Sequence, residues 1–179
     1  MKAILISIKP KYVAKILNGE KTIEIRKTMP KCDLPIDVYI YCTKEKERLV
    51  KHRLANGGIS YTLGKEFSYY DDDLNGKVVA KFTLKEIRLA KYQPYVDEAS
   101  KMANKLTCLT DDELDKYLNK KDGYGWVIDN LEIFDEPKEL SEFKRCTEKA
   151  CIYGKCHKYM HCLKPLTKAP QSFMFIEVE

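Results

Sequence analysis

No run of apolar residues in this chain of 179 approaches the roughly 18 to 20 residues of a membrane-spanning helix. The short apolar start Ala3-Ile4-Leu5-Ile6 runs into alternation rather than into a signal-peptide cleavage site, so a cytoplasmic protein with no membrane contact is expected. Glycine (8) and histidine (3) are scarce, and nothing resembles a phosphate-cradling Gly-rich loop, a Ser-His-Asp arrangement or a carboxylate-rich metal centre. The nucleotide hydrolases and triad hydrolases that depend on those devices are thereby set aside. There is no internal repeat or low-complexity tract, and no repeated strand-helix-strand rhythm that would build a doubly wound sheet.

The composition, 44% hydrophobic and 33% charged, is that of a folded chain. Its length suits one well-buried core rather than two ordinary domains, so residues 1–179 are expected to form one domain with insertions. The formal charge of +5 conceals a pattern. Residues 1–60 carry 13 Lys+Arg against 6 Asp+Glu, residues 61–142 carry 12 against 18, and residues 143–179 carry 7 against 3. If the two basic ends meet, their lysines can form one positive face suited to phosphate. A merely well-solvated lysine-rich surface is the bland alternative.

Along the chain, residues 2–9 alternate Ala3, Leu5 and Ser7 against Ile4, Ile6 and Ile8, the pattern of a strand. Pro10 then opens a helix with Tyr12, Val13, Ile16 and Leu17 as its apolar stripe, stopped by Asn18-Gly19. Strands are predicted over 21–28, 37–43, 77–87 with a continuation to Tyr92, from Gly123 to Ile128, and over 173–178. Residues 44–76, with Asn56-Gly57-Gly58, read as an inserted excursion holding one helix near 45–55. Helix-spaced Val96, Ala99, Met102 and Ala103 predict a helix over 95–106. Thr110-Asp111-Asp112-Glu113 is a capping box opening another, ending near Leu118. Short strands with a helix after the first fit a small mixed barrel of the α+β, mainly β class.

The densest chemistry lies in Gly19-Glu20-Lys21-Thr22-Ile23-Glu24-Ile25-Arg26. Ile23 and Ile25 alternate with Glu24 and Arg26, so one face of a strand can bury while the other lines a groove. Arg26 offers a planar fork for phosphate or a base edge, Lys21 a point charge, and Glu24 an acceptor for exocyclic amino groups. The alternative is a structural ion pair in which Glu24 neutralises Arg26.

This Gly-x-Lys-x-x-Glu-x-Arg segment resembles the signature of the ASCH domains, a branch of the PUA-like β-barrels. The opening from Ile4 to Pro10 with its helix, Val38-Tyr39-Ile40-Tyr41, the segment from Tyr124 to Asn130 and Pro170-Gln171-Ser172-Phe173-Met174 are similar to ASCH proteins of phage and bacterial type. The resemblance implies a PUA-like barrel with helices around it, and a cleft between the first helix and the barrel lined by Lys21, Glu24 and Arg26. Some ASCH members are amidohydrolases of acetylcytidine that use a lysine, a threonine and a distal glutamate. Lys21 matches that lysine, but Glu24 stands where the nucleophilic threonine would fall, and Thr22 would point the other way from Lys21.

A second constellation is Cys146, Cys151, Cys156 and Cys162, with His157 and His161 nearby. Four thiols within residues 146–162 of a chain without signs of secretion read as a Zn2+ site, a C-terminal zinc knuckle. Three cysteines with His161 form the rival ligand set, and reduced, unligated thiols the bland one. Zinc would supply folding energy that this weakly apolar segment lacks. Trp126, the one tryptophan, and Tyr12 are candidates for stacking on a base, or else core aromatics.

The leading expectation is therefore binding of RNA or a modified nucleotide in a basic cleft by Lys9, Lys21, Glu24, Arg26 and Trp126. The alternative is a hydrolase acting on a modified nucleoside or RNA, in which Lys21 would be the catalytic residue. A phage-type protein that binds a host protein is a third class.

Overall fold

The computed structural model describes residues 1–64, 72–91, 104–146 and 163–178. Strand β1 (Lys2–Ile8) lies at the middle of the main sheet and is buried on both faces, because its alternating side chains feed two different cores. Ile4, Ile6 and Ile8 join Val13, Val38, Phe82 and Trp126 on one side. Ala3 and Leu5 join Val78, Phe143 and Ile176 on the other.

Helix α1 (Pro10–Leu17) follows with proline in its first turn and turns Val13, Ala14, Ile16 and Leu17 inward. It stops as the sequence predicts. Gly19 takes φ +76°, its N–H donates to Ile16 O and that of Glu20 to Lys15 O, which closes the last turn as a Schellman motif. The chain then passes directly into β2 (Ile23–Arg26).

The remaining strands are β3 (Ile36–Cys42), β4 (Arg48–Arg53), β5 (Ile59–Gly64), β6 (Asp72–Asp73), β7 (Lys77–Leu84), β8 (Ile87–Ala90), β9 (Gly123–Val127), β10 (Asp129–Glu139), β11 (Lys144–Cys146), β12 (Leu163–Pro165) and β13 (Phe173–Glu177). Helix α2 (Asp111–Leu118) precedes β9, and the predicted capping box is present at Thr110 and Glu113. The main sheet has the order β10-β7-β3-β1-β13-β11-β12, with β1 parallel to β3 and antiparallel to β13. Two smaller sheets, β2-β9-β8 and β5-β4-β6, complete the described strands.

Several expectations are corrected. The described strands are mainly β as predicted, but their pairings leave open sheets rather than a closed barrel. The helix expected near 45–55 is β4, paired with β5 through the Asn56-Gly57 turn. Burial decides this, because Leu49, Val50 and Lys51 are buried in succession, a pattern no single helical stripe provides. Lys51 holds the small sheet to the large one by donating to Asp135 O at 2.9 Å. The strand expected over 77–92 breaks after Leu84 and resumes as β8 in a different sheet. Of the helix expected over 95–106, residues 104–107 are helical and 92–103 lie outside the described residues. The strand from Gly123 continues, past a bend at Asn130 with φ +47°, into β10.

Gly123 seats α2 against β9. A Cβ there would lie 2.6 Å from Leu118 Cδ2 and 3.2 Å from Arg26 O. Gly123→Ala is therefore expected to destabilise the protein by about 1–3 kcal/mol, read from urea unfolding. A change below about 0.5 kcal/mol would show that α2 moves aside freely.

Candidate ligand-binding site

Four chain segments converge on the side chains of β2. Ile23 and Ile25 pack with Leu109 and Leu118 of the α2 region, while Glu24 and Arg26 face the end of β1. Lys21, Glu24 and Arg26 are 2%, 7% and 5% exposed, so all three charges are held out of water. Glu24 lies between the two cations. Its Oε2 is 3.3 Å from Lys21 Nζ, and its Oε1 is 3.0 Å from Arg26 Nη2.

The ammonium of Lys21 also donates to Ile23 O at 2.9 Å and Thr107 O at 2.5 Å. With Glu24 these acceptors match its three N–H donors. Burial pulls the Lys21 ammonium below the usual lysine range, and the Glu24 carboxylate opposes that pull. Arg26 Nη2 donates to Ser7 O at 2.8 Å and Nη1 to Ser172 Oγ at 3.4 Å. Arg26 Nε is buried and has no partner among the described residues. The cluster carries one carboxylate for two cations, and its guanidinium has donor capacity left over.

These groups form the floor of a cavity of about 560 Å³. Its wall includes Tyr12 of α1, Thr43 beyond β3 and Ser172 before β13. Exposed Lys9, Lys116 and Tyr117 stand at the rim, with half-buried Lys11 and Glu113. Lys9 Nζ lies 3.6 Å from Glu45, and Lys11 Nζ 2.9 Å from Glu113 Oε1. Tyr12 has the ammonium groups of Lys11 and Lys21 at 4.5 and 5.3 Å from its ring centre. Tyr117 is 37% exposed and carries Lys27 Nζ 5.2 Å from its ring. Burial raises its hydroxyl above the usual phenol range, against the pull of the neighbouring Arg26 charge.

Of the residues singled out in the sequence, Lys9, Lys21, Glu24 and Arg26 are brought together around this cavity. Trp126 is not. Its ring is fully buried and packed edge-on against Phe173 at 5.0 Å, its Nε1 has no partner among the described residues, and it offers no face to a ligand. Pairing with Glu24 across β2 and β9 places it beneath the charges, inside the main core. Thr22 is exposed. Cys146 ends β11, whereas Cys151, Cys156, His157, His161 and Cys162 lie outside the described residues. Among the described residues no cluster of three or more potential metal ligands occurs.

Sequence reasoning passed over Lys11, Glu113, Lys116 and Tyr117. The signal for three of them was the spacing 113, 116, 117 on the capped helix, which places them on one face. The basic ends do meet, through β1 and β13, but the cavity takes its cations from the first third of the chain and from Lys116 of the acidic middle. The C-terminal third contributes Gln171 and Ser172 instead.

Comparison with solved structures gives the architecture its relatives. The crystal structure of ASCH from Zymomonas mobilis aligns with a TM-score of 0.58 at 14% identity, covering 98% of this chain and 87% of that one. The fold is ASCH-like. A serine-to-alanine mutant of the Zymomonas protein aligns with a TM-score of 0.58 at 13% identity, covering 98% and 88% of the two chains. A tyrosine-to-phenylalanine mutant aligns with a TM-score of 0.52 at 15% identity, covering 78% and 77%. No family model and no curated protein matches the sequence. The ASCH-like chain has no helix among its described residues long and apolar enough to cross a membrane.

Removing Glu24 would leave two buried cations uncompensated. Glu24→Ala is expected to cost about 3–5 kcal/mol of folding stability, against about 0.5–1.5 for Ile23→Val one residue away. Denaturant titration of both variants compares them. Equal small losses would mean that the carboxylate contributes little to holding the cluster.

Proposed function

We propose that the cavity binds a nucleotide, free or as an unpaired residue of an RNA strand. The observation that carries this reading is the Glu24–Arg26 pair lining the cavity, a guanidinium fork beside a carboxylate that still has lone pairs to offer. A donor and an acceptor held side by side suit the edge of a nucleobase.

The rest of the cavity agrees in kind. Its volume of about 560 Å³ is that of a small-molecule site. Tyr12 and Tyr117 supply aromatic surface for stacking, the role that Trp126 cannot take. Lys9 and Lys116 at the rim add a general attraction for an anion. Catalysis is less well supported. Lys21 has an acceptor for each of its three N–H groups, so it serves better as a fixed strut beneath the site than as a nucleophile or base.

The test is titration of the intact protein with the four ribonucleoside monophosphates and with single-stranded RNA, together with mass spectrometry of any nucleic acid that co-purifies. Tyr117→Ala, an exposed position, should weaken binding by about 1–3 kcal/mol. No binding to any of these probes, and no nucleotide in the purified protein, would end the reading.

We also propose that Cys146, Cys151, Cys156 and Cys162 hold a zinc ion, with His161 as the alternative fourth ligand. The β11–β12 pairing supports it, because Cys146 stands opposite Leu163 and the cysteine-bearing segment leaves and returns at one point. About one equivalent of zinc per chain is expected from metal analysis of protein prepared without a histidine tag. Less than about a tenth of an equivalent of any metal, with the native thiols freely titratable, would exclude the site.

A further inference from the structure

We propose that Lys11 is the phosphate-binding cation of the cavity, that Glu113 holds it in reserve, and that the preferred ligand is therefore a nucleotide bearing a terminal phosphate monoester. The inference rests on the nucleotide-binding reading above and adds the end of the ligand that faces the rim. Lys11 leaves α1 and Glu113 leaves α2, and their ion pair at 2.9 Å spans the two helices that flank the cavity.

Glu113 is not free to follow a departing lysine. Its Oε2 accepts from the backbone N–H of Thr110 at 3.1 Å, and its own N–H donates to Thr110 Oγ1 at 3.2 Å. The capping box fixes the carboxylate, so its Oε1 stands at Lys11 as an internal anion where an external one would bind. Each partner strengthens the charged form of the other: the pair raises the Lys11 ammonium and lowers the Glu113 carboxyl from their usual ranges. Both side chains are about 40% exposed (42% and 40%), which makes the pair a weak one that water already screens.

Charge then selects the ligand. A phosphodiester in mid-strand carries one negative charge and competes with Glu113 on equal terms. A terminal phosphate carries close to two at neutral pH and displaces it. Lys116, in the last turn of α2 and exposed at the same rim, adds to the attraction. Tyr117 lies four residues beyond Glu113 on the same helix face, so the base platform and the internal anion are carried by one element.

The experiment compares binding of a ribonucleoside, its 5′- and 3′-monophosphates, and inorganic phosphate to the wild-type chain, Glu113→Gln and Lys11→Gln. Glutamine is accepted in a capping box, so Glu113→Gln removes the charge while keeping α2. It is expected to raise monophosphate affinity about 3- to 10-fold and to leave the nucleoside within about 2-fold. Lys11→Gln is expected to bring the better-bound monophosphate down to the nucleoside's level. A monophosphate advantage that neither substitution changes would overturn this proposal alone. Inorganic phosphate binding as tightly as the monophosphates would also overturn it, by showing an anion site that ignores the base. Absence of binding by nucleoside and monophosphates alike would remove the nucleotide-binding reading and this proposal with it.

Discussion

Glu24 sits between two buried cations, and much of the fold around the cavity is arranged to make that tolerable. An isolated charge in a dry interior costs several kcal/mol, so each of the three must find partners on other segments. Lys21 finds them on Thr107, in the segment that leads to α2. Arg26 finds them on Ser7, at the end of β1, and Ser172, before β13. The first helix must end abruptly for Lys21 to turn inward, which the Schellman closure at Gly19 provides. Helix, strand, strap and final strand are thus tied to one carboxylate.

That constraint also explains how one cluster can hold the fold together and still line a cavity. The Glu24–Arg26 pair is more than a strand-face contact: it is part of a three-membered chain with unequal charge. Among the described residues its lysine is saturated with acceptors and its arginine is not. A cluster of this kind is fixed by folding itself, so a ligand that used it would find its polar groups already ordered.

The parts of this arrangement legible in the sequence were those fixed by local rules. Proline and glycine marked the two ends of α1, the alternation of Ile23 and Ile25 with Glu24 and Arg26 announced the two faces of β2, and the capping box located α2. What sequence could not show depended on long-range pairing. The run from Arg48 to Arg53 carries enough charge to pass for a helix, and only partners from Ile59–Gly64 make it a strand, though Asn56-Gly57 was a hairpin signal in plain view. Trp126, as the one tryptophan, stands out in the sequence as a stacking candidate. Its burial follows from Phe173, forty-seven positions away. The rim residues of α2 were hidden for the same reason, since a helix face acquires meaning only from what it is packed beside.

The central strand β1 is paired along one edge with β3 and along the other with β13, from Lys2 opposite Glu177 to Ile6 opposite Phe173. The most apolar strand of the sheet therefore waits until β13 has been made before its second edge is covered. During synthesis, a polypeptide that has reached β12 can already build β3, β7 and β10 against β1, yet it presents a buried-type strand with one row of free N–H and C=O groups. Such an edge is a template for another copy in the same condition. Completion of the sheet and protection from self-association are one event, and both belong to β13.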